Sequence, residues 1–303
     1  VVLSNFSVGV TERLKIDHAH LSTVNTRIIT CNISGFGENG PGRDRTSLDM
    51  VAQAMSGLMS LTGQPGGPPT RAGIPIGDIG GGLMGVIGVL SALLARQQTG
   101  RGQHVDISML DTQISLLNYM VTMHALSGNI PERMGNGHMV HVPYDVFQCA
   151  DGYIVIAIIM DEFWGKLMHA IPANDLDTEE NQFQPGRLKN KGLINRRLNE
   201  ILSTNTQKHW LDVLQSARIP CAPVNDLHQS LTDEQVLFRN MVVEVEHPLG
   251  GSTKIPGNPV KLSETYEDTF TPPPMLGQHN EEIFSTLGLT RDDLDALQKE
   301  GVI

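Results

Sequence analysis

The segment Ile74-Pro75-Ile76-Gly77-Asp78-Ile79-Gly80-Gly81-Gly82 leads into the longest apolar stretch of the chain, Leu83 to Ala95. This stretch predicts a buried helix over residues 79–98. Strand-like and helix-like segments alternate on both sides of it, which is typical of a parallel β-sheet with helices on its faces. The sequence therefore predicts an α/β fold. The predicted strands are Val1–Ser4, Arg27–Ile33 and His104–Ser108, and the other predicted helices are Val10–Leu14, Asp49–Leu61 and Met109–Leu126.

Asp78 lies where a loop enters the predicted helix, beside glycines that let a ligand approach the backbone. Two interpretations are open. Asp is a favoured helix N-cap, and its charge suits the positive end of the helix. A carboxylate held there could also act as a nucleophile, because nearby N–H groups stabilise developing negative charge. The local pattern does not decide between the two.

The second half of the chain changes character after the glycine-rich loop Gly135-Asn136-Gly137-His138. A β-hairpin is predicted there, with Asp151-Gly152 as its turn. Three consecutive prolines in Thr271–Pro274 predict a stiff, extended connector. The predicted strands are Tyr144–Cys149, Tyr153–Ile159, Ile219–Val224 and Met241–Glu246, and the predicted helices lie near 162–170, 187–203, 207–217, Glu281–Gly288 and Arg291–Lys299.

Composition excludes several classes of function. With 303 residues, 40% of them hydrophobic and 18% charged, the chain is typical of a globular protein. A net charge of −11 disfavours nucleic acid as a partner. The apolar stretch 83–95 is expected to be too short to span a membrane. The three cysteines lie far apart, which favours a reducing compartment and predicts a cytoplasmic location; organellar targeting stays open because the N-terminus is expected to be incomplete.

The sequence gives little support for a known cofactor-binding or metal-binding motif. Gly35-Phe36-Gly37-Glu38-Asn39-Gly40 matches GxGxxG, but Pro41-Gly42 follows, so the motif is not expected to open the helix that a dinucleotide requires. The histidines are scattered, and no metal site is predicted. Five basic residues of the first half form either ordinary surface or a phosphate-binding rim. These residues are Arg13, Lys15, Arg43, Arg45 and Arg71.

A set of segments in a fixed order gives a more specific signal. They include Asn5-Phe6 with Arg13-Leu14, Gly35-Phe36-Gly37 with Gly40-Pro41, Val51–Gly57, Gly77-Asp78, Thr99–Gln103, Val142-Pro143-Tyr144, Asp151-Gly152-Tyr153, Glu246-His247-Pro248, Ile255-Pro256-Gly257 and Pro272–His279. These segments, and the order in which they follow one another, resemble those of the class III CoA-transferases, which include formyl-CoA transferases and carnitine CoA-transferase. It looks closest to the succinyl-CoA:dicarboxylate branch.

The resemblance implies a reaction and a set of site residues. Asp78 matches the family's nucleophile, which carries CoA as an aspartyl-CoA thioester between an acyl-CoA donor and a small carboxylic acid. CoA and acyl-CoA are then substrates, with no tightly bound cofactor. Residues at family positions that contact CoA are Asn5, Phe6, Ser7, Arg13 and Leu14, with Thr46, Ser47, Leu48 and Asp49 along the pantetheine and thioester. The loop Gly135, Asn136, Gly137 and His138 matches a loop expected to hold the oxyanion.

The resemblance also implies an architecture. A Rossmann-like large domain is expected from residues 1–132 and 246–303, with its N-terminal βαβ segment missing, and a smaller α/β domain from residues 133–245. Family members form interlocked homodimers, so a homodimer is expected here too.

Two alternative functions remain at this point. One is an acyl-CoA racemase or isomerase of the same fold, whose pattern places a proton-carrying His where this chain has Leu48. Transferases often have Tyr at that position, so Leu48 departs from both patterns. The other alternative is an inactive fragment that binds CoA.

Overall fold

Three parallel strands form the sheet of the first half of the chain: β1 (Val2–Ser4), β2 (Thr30–Ser34) and β3 (His104–Ser108). The order is β1-β2-β3, with Thr30 opposite both Val2 and His104. Helices fill both connections between the strands, so the predicted α/β alternation is confirmed. The strand β2 begins three residues later than predicted, because Arg27 to Ile29 lead into it rather than pair within it.

Seven helices accompany this sheet in the described part of the chain. They are α1 (Val10–Arg13), α2 (His18–Val24), α3 (Asp49–Ser56), α4 (Leu58–Leu61), α5 (Ile76–Thr99), α6 (Met109–Leu116) and α7 (Tyr119–Ser127). Two predicted helices are each broken in two. Gly57, with φ 89°, separates α3 from α4, and Asn118, with φ 48°, separates α6 from α7. Left-handed backbone interrupts a helix even where the apolar spacing continues.

The helix α5 packs closely on the sheet because its inner face is made of glycine. A Cβ on Gly81 or Gly85 would lie 3.2 Å from the Ile33 side chain, and one on Gly88 would lie 2.6 Å from Val105 Cγ1. A helix with larger residues at these positions would have to move away from β2 and β3. The glycine run is thus a packing surface, and it fixes where the helix begins.

The helix α5 is also longer than the apolar stretch predicts. It has 24 residues, so by length and composition alone it is long and apolar enough to cross a membrane, and the expectation that it is too short is wrong. The prediction of a buried helix is also wrong for this chain, because only Gly77, Gly80, Gly81, Gly85 and Ala92 of α5 are buried. Its outer face exposes large apolar side chains, namely Ile79, Leu83, Val86, Ile87, Leu90 and Leu94.

We predict opposite stability effects from two alanine substitutions in α5. Gly88→Ala should lower the free energy of unfolding by about 1–3 kcal/mol, because its Cβ would overlap the stiff Val105 side chain. Gly82→Ala should raise it by up to about 1 kcal/mol, because no atom lies within 4 Å of the added Cβ and alanine favours the helix. Urea denaturation of both variants measures the difference. Equal stability of the two would contradict the packing argument.

The segment from 142 to 223 forms an antiparallel sheet with its own core. The sheet has the order β4-β5-β6, and Trp164 and Phe147 lie among its fully buried side chains. The elements are β4 (Tyr144–Cys149), β5 (Gly152–Ala157), α8 (Asp161–Ala170), a 3₁₀ turn (Glu179–Gln182), α9 (Gln184–Lys189), α10 (Lys191–Leu202), α11 (Gln207–Ser216) and β6 (Cys221–Pro223). The predicted hairpin is confirmed, and the predicted helix 187–203 is divided at Asn190.

The computed structural model describes residues 1–265 and 269–303, and these form two compact units, Val1–Pro223 and Val224–Ile303. The second unit holds α12 (Leu227–Thr232), α13 (Glu234–Phe238), β7 (Val242–His247), β8 (Gly251–Pro256), α14 (Asn280–Ser285) and α15 (Arg291–Lys299). The sequence did not predict β8, because its residues are almost all exposed and show no apolar alternation. The predicted connector Thr271–Pro274 has no regular secondary structure.

Candidate active site

A cavity of about 670 Å³ lies where the parallel strands end. Its walls come from the residues that follow β1, from the end of β2 and from Met109, which follows β3. The loop 43–48 and Asp78 complete the lining. Open α/β sheets bind ligands in the crevice outside the carboxyl ends of their strands. This cavity therefore stands where the fold is expected to hold a ligand.

Asp78 lies in the first turn of α5, two residues beyond its first residue, and its side chain lines the cavity. The N-cap of α5 is Pro75, and the side chain that accepts from an N–H group at the helix start is Asp49, on Gly77, so the interpretation of Asp78 as the cap is wrong. Partial burial, and then repulsion from the Asp49 carboxylate, raise the pKa of Asp78 above its ordinary value. Asp78 is thus a carboxyl group with a raised pKa that lines a ligand-sized cavity.

The structure brings most of the predicted CoA contacts to the same cavity. Asn5, Phe6 and Ser7 line it from the segment after β1. Thr46, Ser47 and Leu48 line it from the loop before α3, and Leu48 is 74% exposed. A side chain on Gly35 would collide with Ser47, so the glycine lets this loop lie against the end of β2.

Three of the predicted contacts lie elsewhere. Arg13 ends α1 and Leu14 follows it with half of its surface exposed, and neither residue lines the cavity. Asp49 does not line it either, because its carboxylate turns toward the start of α5, where Oδ1 accepts a hydrogen bond of 2.7 Å from Gly77 N–H. The assignment of Asp49 as a CoA contact thus has no geometric basis in this structure.

Other cavity residues were not singled out from the sequence. They are Val8, Ile33, Ser34 and Met109, all at or just beyond the ends of strands. Arg43 and Arg45 also line the cavity, which favours the phosphate-rim interpretation of these two residues. The Arg45 guanidinium lies over the Phe36 ring, 4.8 Å from its centroid, and this contact holds the charge at the rim.

The glycine-rich loop Gly135–His138 lies away from Asp78. None of its four residues lines the Asp78 cavity, and the flanking residues Met134 and Met139 line a different cavity of about 810 Å³, together with Lys191. Gly135 N–H donates to Gly63 O and Gly137 N–H donates to Met134 O, both at 3.0 Å, so two of the N–H groups proposed for an oxyanion are already bonded. The oxyanion role gains no support from this geometry within one chain and stays a prediction.

His138 in that loop has a defined tautomer. Its Nδ1 accepts from the N–H groups of Val140 and His141, at 3.1 and 3.2 Å, so the proton of the neutral ring is on Nε2. Burial, followed by repulsion from His141 and Lys191, lowers the pKa of His138. The ring therefore accepts hydrogen bonds at Nδ1, and its surroundings disfavour the cation.

Residues 1–280 match the family model "CoA-transferase family III". The chain belongs to CoA-transferase family III. It is 36% identical over 275 residues to acetyl-CoA:oxalate CoA-transferase of Acetobacter aceti, spanning 90% of this chain and 69% of that protein. It is 33% identical to succinyl-CoA:mesaconate CoA-transferase of Haloarcula hispanica, spanning 95% of this chain and 74% of that protein.

Solved structures agree with the family assignment. A CAIB/BAIF family protein from Brucella suis superposes with a TM-score of 0.84 at 30% identity, covering 94% of this chain and 75% of that chain. The prediction that this chain is a family III CoA-transferase is therefore confirmed, as is the prediction that it is an enzyme of the CoA-transferase class.

Proposed function

We propose that this family III CoA-transferase moves CoA from an acyl-CoA to a carboxylic acid through a covalent thioester on Asp78. The observation that carries the proposal is the place of Asp78. It is a carboxylate in the first turn of α5, in a cavity at the strand ends that also has a basic rim. A helix N-terminus stabilises negative charge that develops beside it.

The proposed cycle balances without an added acid, base or redox partner. The Asp78 carboxylate attacks the donor thioester carbonyl, and CoA thiolate leaves, which gives a mixed anhydride. The thiolate then attacks the Asp78 carbonyl and expels the donor carboxylate, which gives the aspartyl-CoA thioester. The acceptor carboxylate attacks this thioester and releases the thiolate, and the thiolate attacks the acceptor carbonyl, which frees the new acyl-CoA and restores Asp78.

The cavity suits a CoA thioester in its charge and its walls. Arg43 and Arg45 stand at the rim, where two guanidinium groups can pair with phosphates. Asn5, Phe6 and Ser7 offer an amide, a ring and a hydroxyl to the rest of the nucleotide, and Leu48 offers an apolar wall near the thioester.

The racemase alternative is less well supported. Racemisation at carbon needs a second group that carries a proton opposite Asp78. None of the side chains that the structure places around this cavity is a histidine, and Leu48 cannot exchange a proton. The other acid of the cavity, Asp44, pairs with Arg43 at 3.3 Å and is 84% exposed. Proton exchange at the α-carbon of an acyl-CoA in deuterated water, without CoA transfer, would establish the racemase.

The substrates are proposed from the named relatives. These act, by name, on succinyl-CoA with mesaconate or glutarate, and on acetyl-CoA with oxalate. Each acceptor is a dicarboxylate. We propose a dicarboxylic acceptor for this chain too, with succinyl-CoA or another dicarboxylyl-CoA as the donor.

We also propose an interlocked homodimer with Rossmann-like large domains built from residues 1–132 and 246–303 and small domains from residues 133–245. What supports it is the apolar outer face of α5, which a single described chain leaves in water. A second copy could also bring its Gly135–His138 loop to Asp78, which the loop of the same chain does not reach. A solution mass of one chain, 33.0 kDa, measured by light scattering at micromolar concentration, would contradict the dimer.

A cytoplasmic location is proposed from the cysteines. Cys31, Cys149 and Cys221 all carry free thiols, as is common in a reducing compartment. Burial, with a contribution from Asp151, raises the pKa of Cys149 to about 11, so this thiol is unreactive. Fractionation of the source cells, with detection of the protein in an oxidising compartment, would contradict the proposal.

Intact-protein mass spectrometry tests the proposed chemistry directly. The protein is mixed with succinyl-CoA, acetyl-CoA and other acyl-CoAs in turn, and the mass of the chain is measured. A CoA-sized adduct that hydroxylamine removes is the expected result, and the donor that produces it identifies the substrate. If no donor produces an adduct, the covalent mechanism is wrong.

A further inference from the structure

The start of α5 contacts the partly buried Asp49 and the buried Gln113, and Asp49 contacts the buried Gln53; none of the three lines the cavity. Asp49 Oδ1 accepts from Gly77 N–H at 2.7 Å, and Asp49 Oδ2 accepts from Gln53 Nε2 at 2.6 Å. Gln53 is fully buried, and its Oε1 accepts from Ala72 N–H at 2.9 Å. Asp49 Oδ1 therefore joins α3 to the residue that precedes Asp78, while Oδ2 accepts from Gln53 one turn further along α3.

The space around Gly77 leaves Asp49 little freedom to move. A Cβ on Gly77 would lie 2.9 Å from Asp49 Oδ1 and 2.5 Å from Nε2 of the buried Gln113. Ser56 Oγ donates to Gln113 Oε1 at 3.3 Å, and this hydrogen bond restricts the position of the Gln113 amide. The Asp49 carboxylate is thus confined at one place against the first turn of α5.

The charge of Asp49 acts on Asp78 in two ways. The N-terminus of a helix offers unpaired N–H groups and a partial positive charge that stabilise a nearby anion. Asp49 takes one of these N–H groups and offsets part of that positive charge. Its repulsion is also the second cause, after partial burial, that raises the pKa of Asp78. Both effects make the ionised form of Asp78 less stable.

We propose that Asp49 is a positioning residue of the transferase site, which orients the first turn of α5 and destabilises the free carboxylate of Asp78 relative to its acylated form. The proposal rests on the proposed covalent function of Asp78. When Asp78 becomes an anhydride or a thioester it loses its negative charge, so the repulsion from Asp49 disappears. The same interaction therefore favours both protonation and acylation of Asp78, by the same factor.

Few other charges compete with Asp49 at this place. The cavity contributes Arg43, Asp44 and Arg45, all from the loop before α3. The polar residues that α6 brings to the start of α5 are uncharged: Gln113 lies beside Gly77 and Thr112 beside Gly80. Removal of the Asp49 charge should thus act on Asp78 without rearranging an ion pair.

Asp49→Asn tests the inference, because the amide oxygen still accepts from Gly77 N–H while the charge is lost, together with the acceptor of Gln53 Nε2. The whole chain is incubated with succinyl-CoA and succinate at a fixed ratio, and the ratio of aspartyl-CoA chain to free chain is measured from pH 4 to pH 8 by mass spectrometry. We expect this ratio at neutral pH to fall by about three- to tenfold. Since the pKa of Asp78 falls when the repulsion is removed, the pH at which adduct formation begins should move to lower pH.

Two control variants separate this effect from a loss of structure. Asp49→Glu keeps the charge and should restore most of the wild-type ratio and its pH dependence. Asp212→Asn removes one exposed carboxylate from α11, where it pairs with Lys208, and should leave both unchanged. An Asp49→Asn chain with the wild-type ratio and pH dependence would overturn the inference. A wild-type chain without any adduct would instead overturn the proposed function.

Discussion

Asp78→Asn is expected to abolish CoA transfer while the fold and the affinity for CoA are kept. The amide has the size of the carboxylate, so the first turn of α5 and the cavity wall should not move. It cannot attack a thioester to form an anhydride, because it has no anionic oxygen. We expect kcat to fall by about 10³-fold or more, as it does when a covalent nucleophile is removed.

The measurement combines turnover with the mass of the chain. The variant should show no CoA-sized adduct with the donor that labels the wild type, and it should bind CoA with an unchanged Kd. Asp44→Asn is the matched control, because Asp44 is the other carboxylate of the cavity and is mostly exposed beside Arg43. That variant should keep the adduct. Transfer activity above a trace in Asp78→Asn, or loss of the adduct in Asp44→Asn alone, would refute the assignment of the nucleophile.

Arg187→Met is expected to cause the largest loss of stability in the segment 142–223. The Arg187 side chain is fully buried and donates to Asp161 Oδ1 at 2.5 Å. It also donates to three backbone carbonyl oxygens, at 2.7 to 3.0 Å: Val142 O, Asn181 O and Gln182 O. Met keeps the volume but leaves all five acceptors, with Gln184 Oε1 as the fifth, without their donor. Asp161 is 43% exposed and can be solvated, so the loss comes mainly from the buried carbonyl acceptors, each of which costs about 1–3 kcal/mol when it is left unpaired.

The position of Arg187 also connects this stability to the site. Val142 precedes β4 and follows the loop that carries His138 and His141, so Arg187 holds the end of that loop. Gln184, one turn before Arg187 on α9, reaches His141 Nδ1 at 3.0 Å. If the loop acts at the Asp78 cavity of a second chain, the same substitution should lower turnover more than it lowers CoA binding.

Arg197→Met is the control for charge removal. Arg197 pairs with Asp175 and Glu200 on the partly exposed face of α10, where water replaces a lost partner. The loss of stability should be far smaller than in Arg187→Met. Urea denaturation of both variants, followed by tryptophan fluorescence, measures the contrast, since Trp164 lies 5.2 Å from the Arg187 guanidinium carbon. Equal effects would show that the buried network does not stabilise the fold.

Local sequence was sufficient for most strands, though not for β8, and for most helices. The alternation in β3 and β4 and the turn at Asp151-Gly152 are properties of neighbouring residues, and these elements lie where they were predicted. The prediction of helix bounds failed where the backbone conformation of one residue ends a helix although the apolar spacing continues. The apolar spacing of Asp49–Leu61 continues through Gly57, but left-handed backbone there ends one helix and starts another.

The family and the identity of the nucleophile candidate were available from the order of motifs along the chain. The cavity was not, because its walls come from distant segments. Ser34 and Met109 carry no local signal of function, yet the parallel sheet brings the ends of β2 and β3 to one edge, and the two residues meet there. Arg43 and Arg45 likewise reach the rim of the cavity only because Gly35 lets the loop that carries them lie against the end of β2.

Asp49 shows most clearly which features depend on the sequence alone and which depend on the tertiary structure. The sequence by itself determined the α/β class, the family and Asp78 at the entry to an apolar helix, because these depend on residue types and spacing within short segments. Only the tertiary structure decided that Asp49 faces the start of α5 and that Gly135–His138 lies outside the Asp78 cavity. The physical reason is that the direction of a side chain at a helix start depends on which N–H groups remain unpaired nearby. For Asp49 that group is Gly77 N–H, which belongs to another helix.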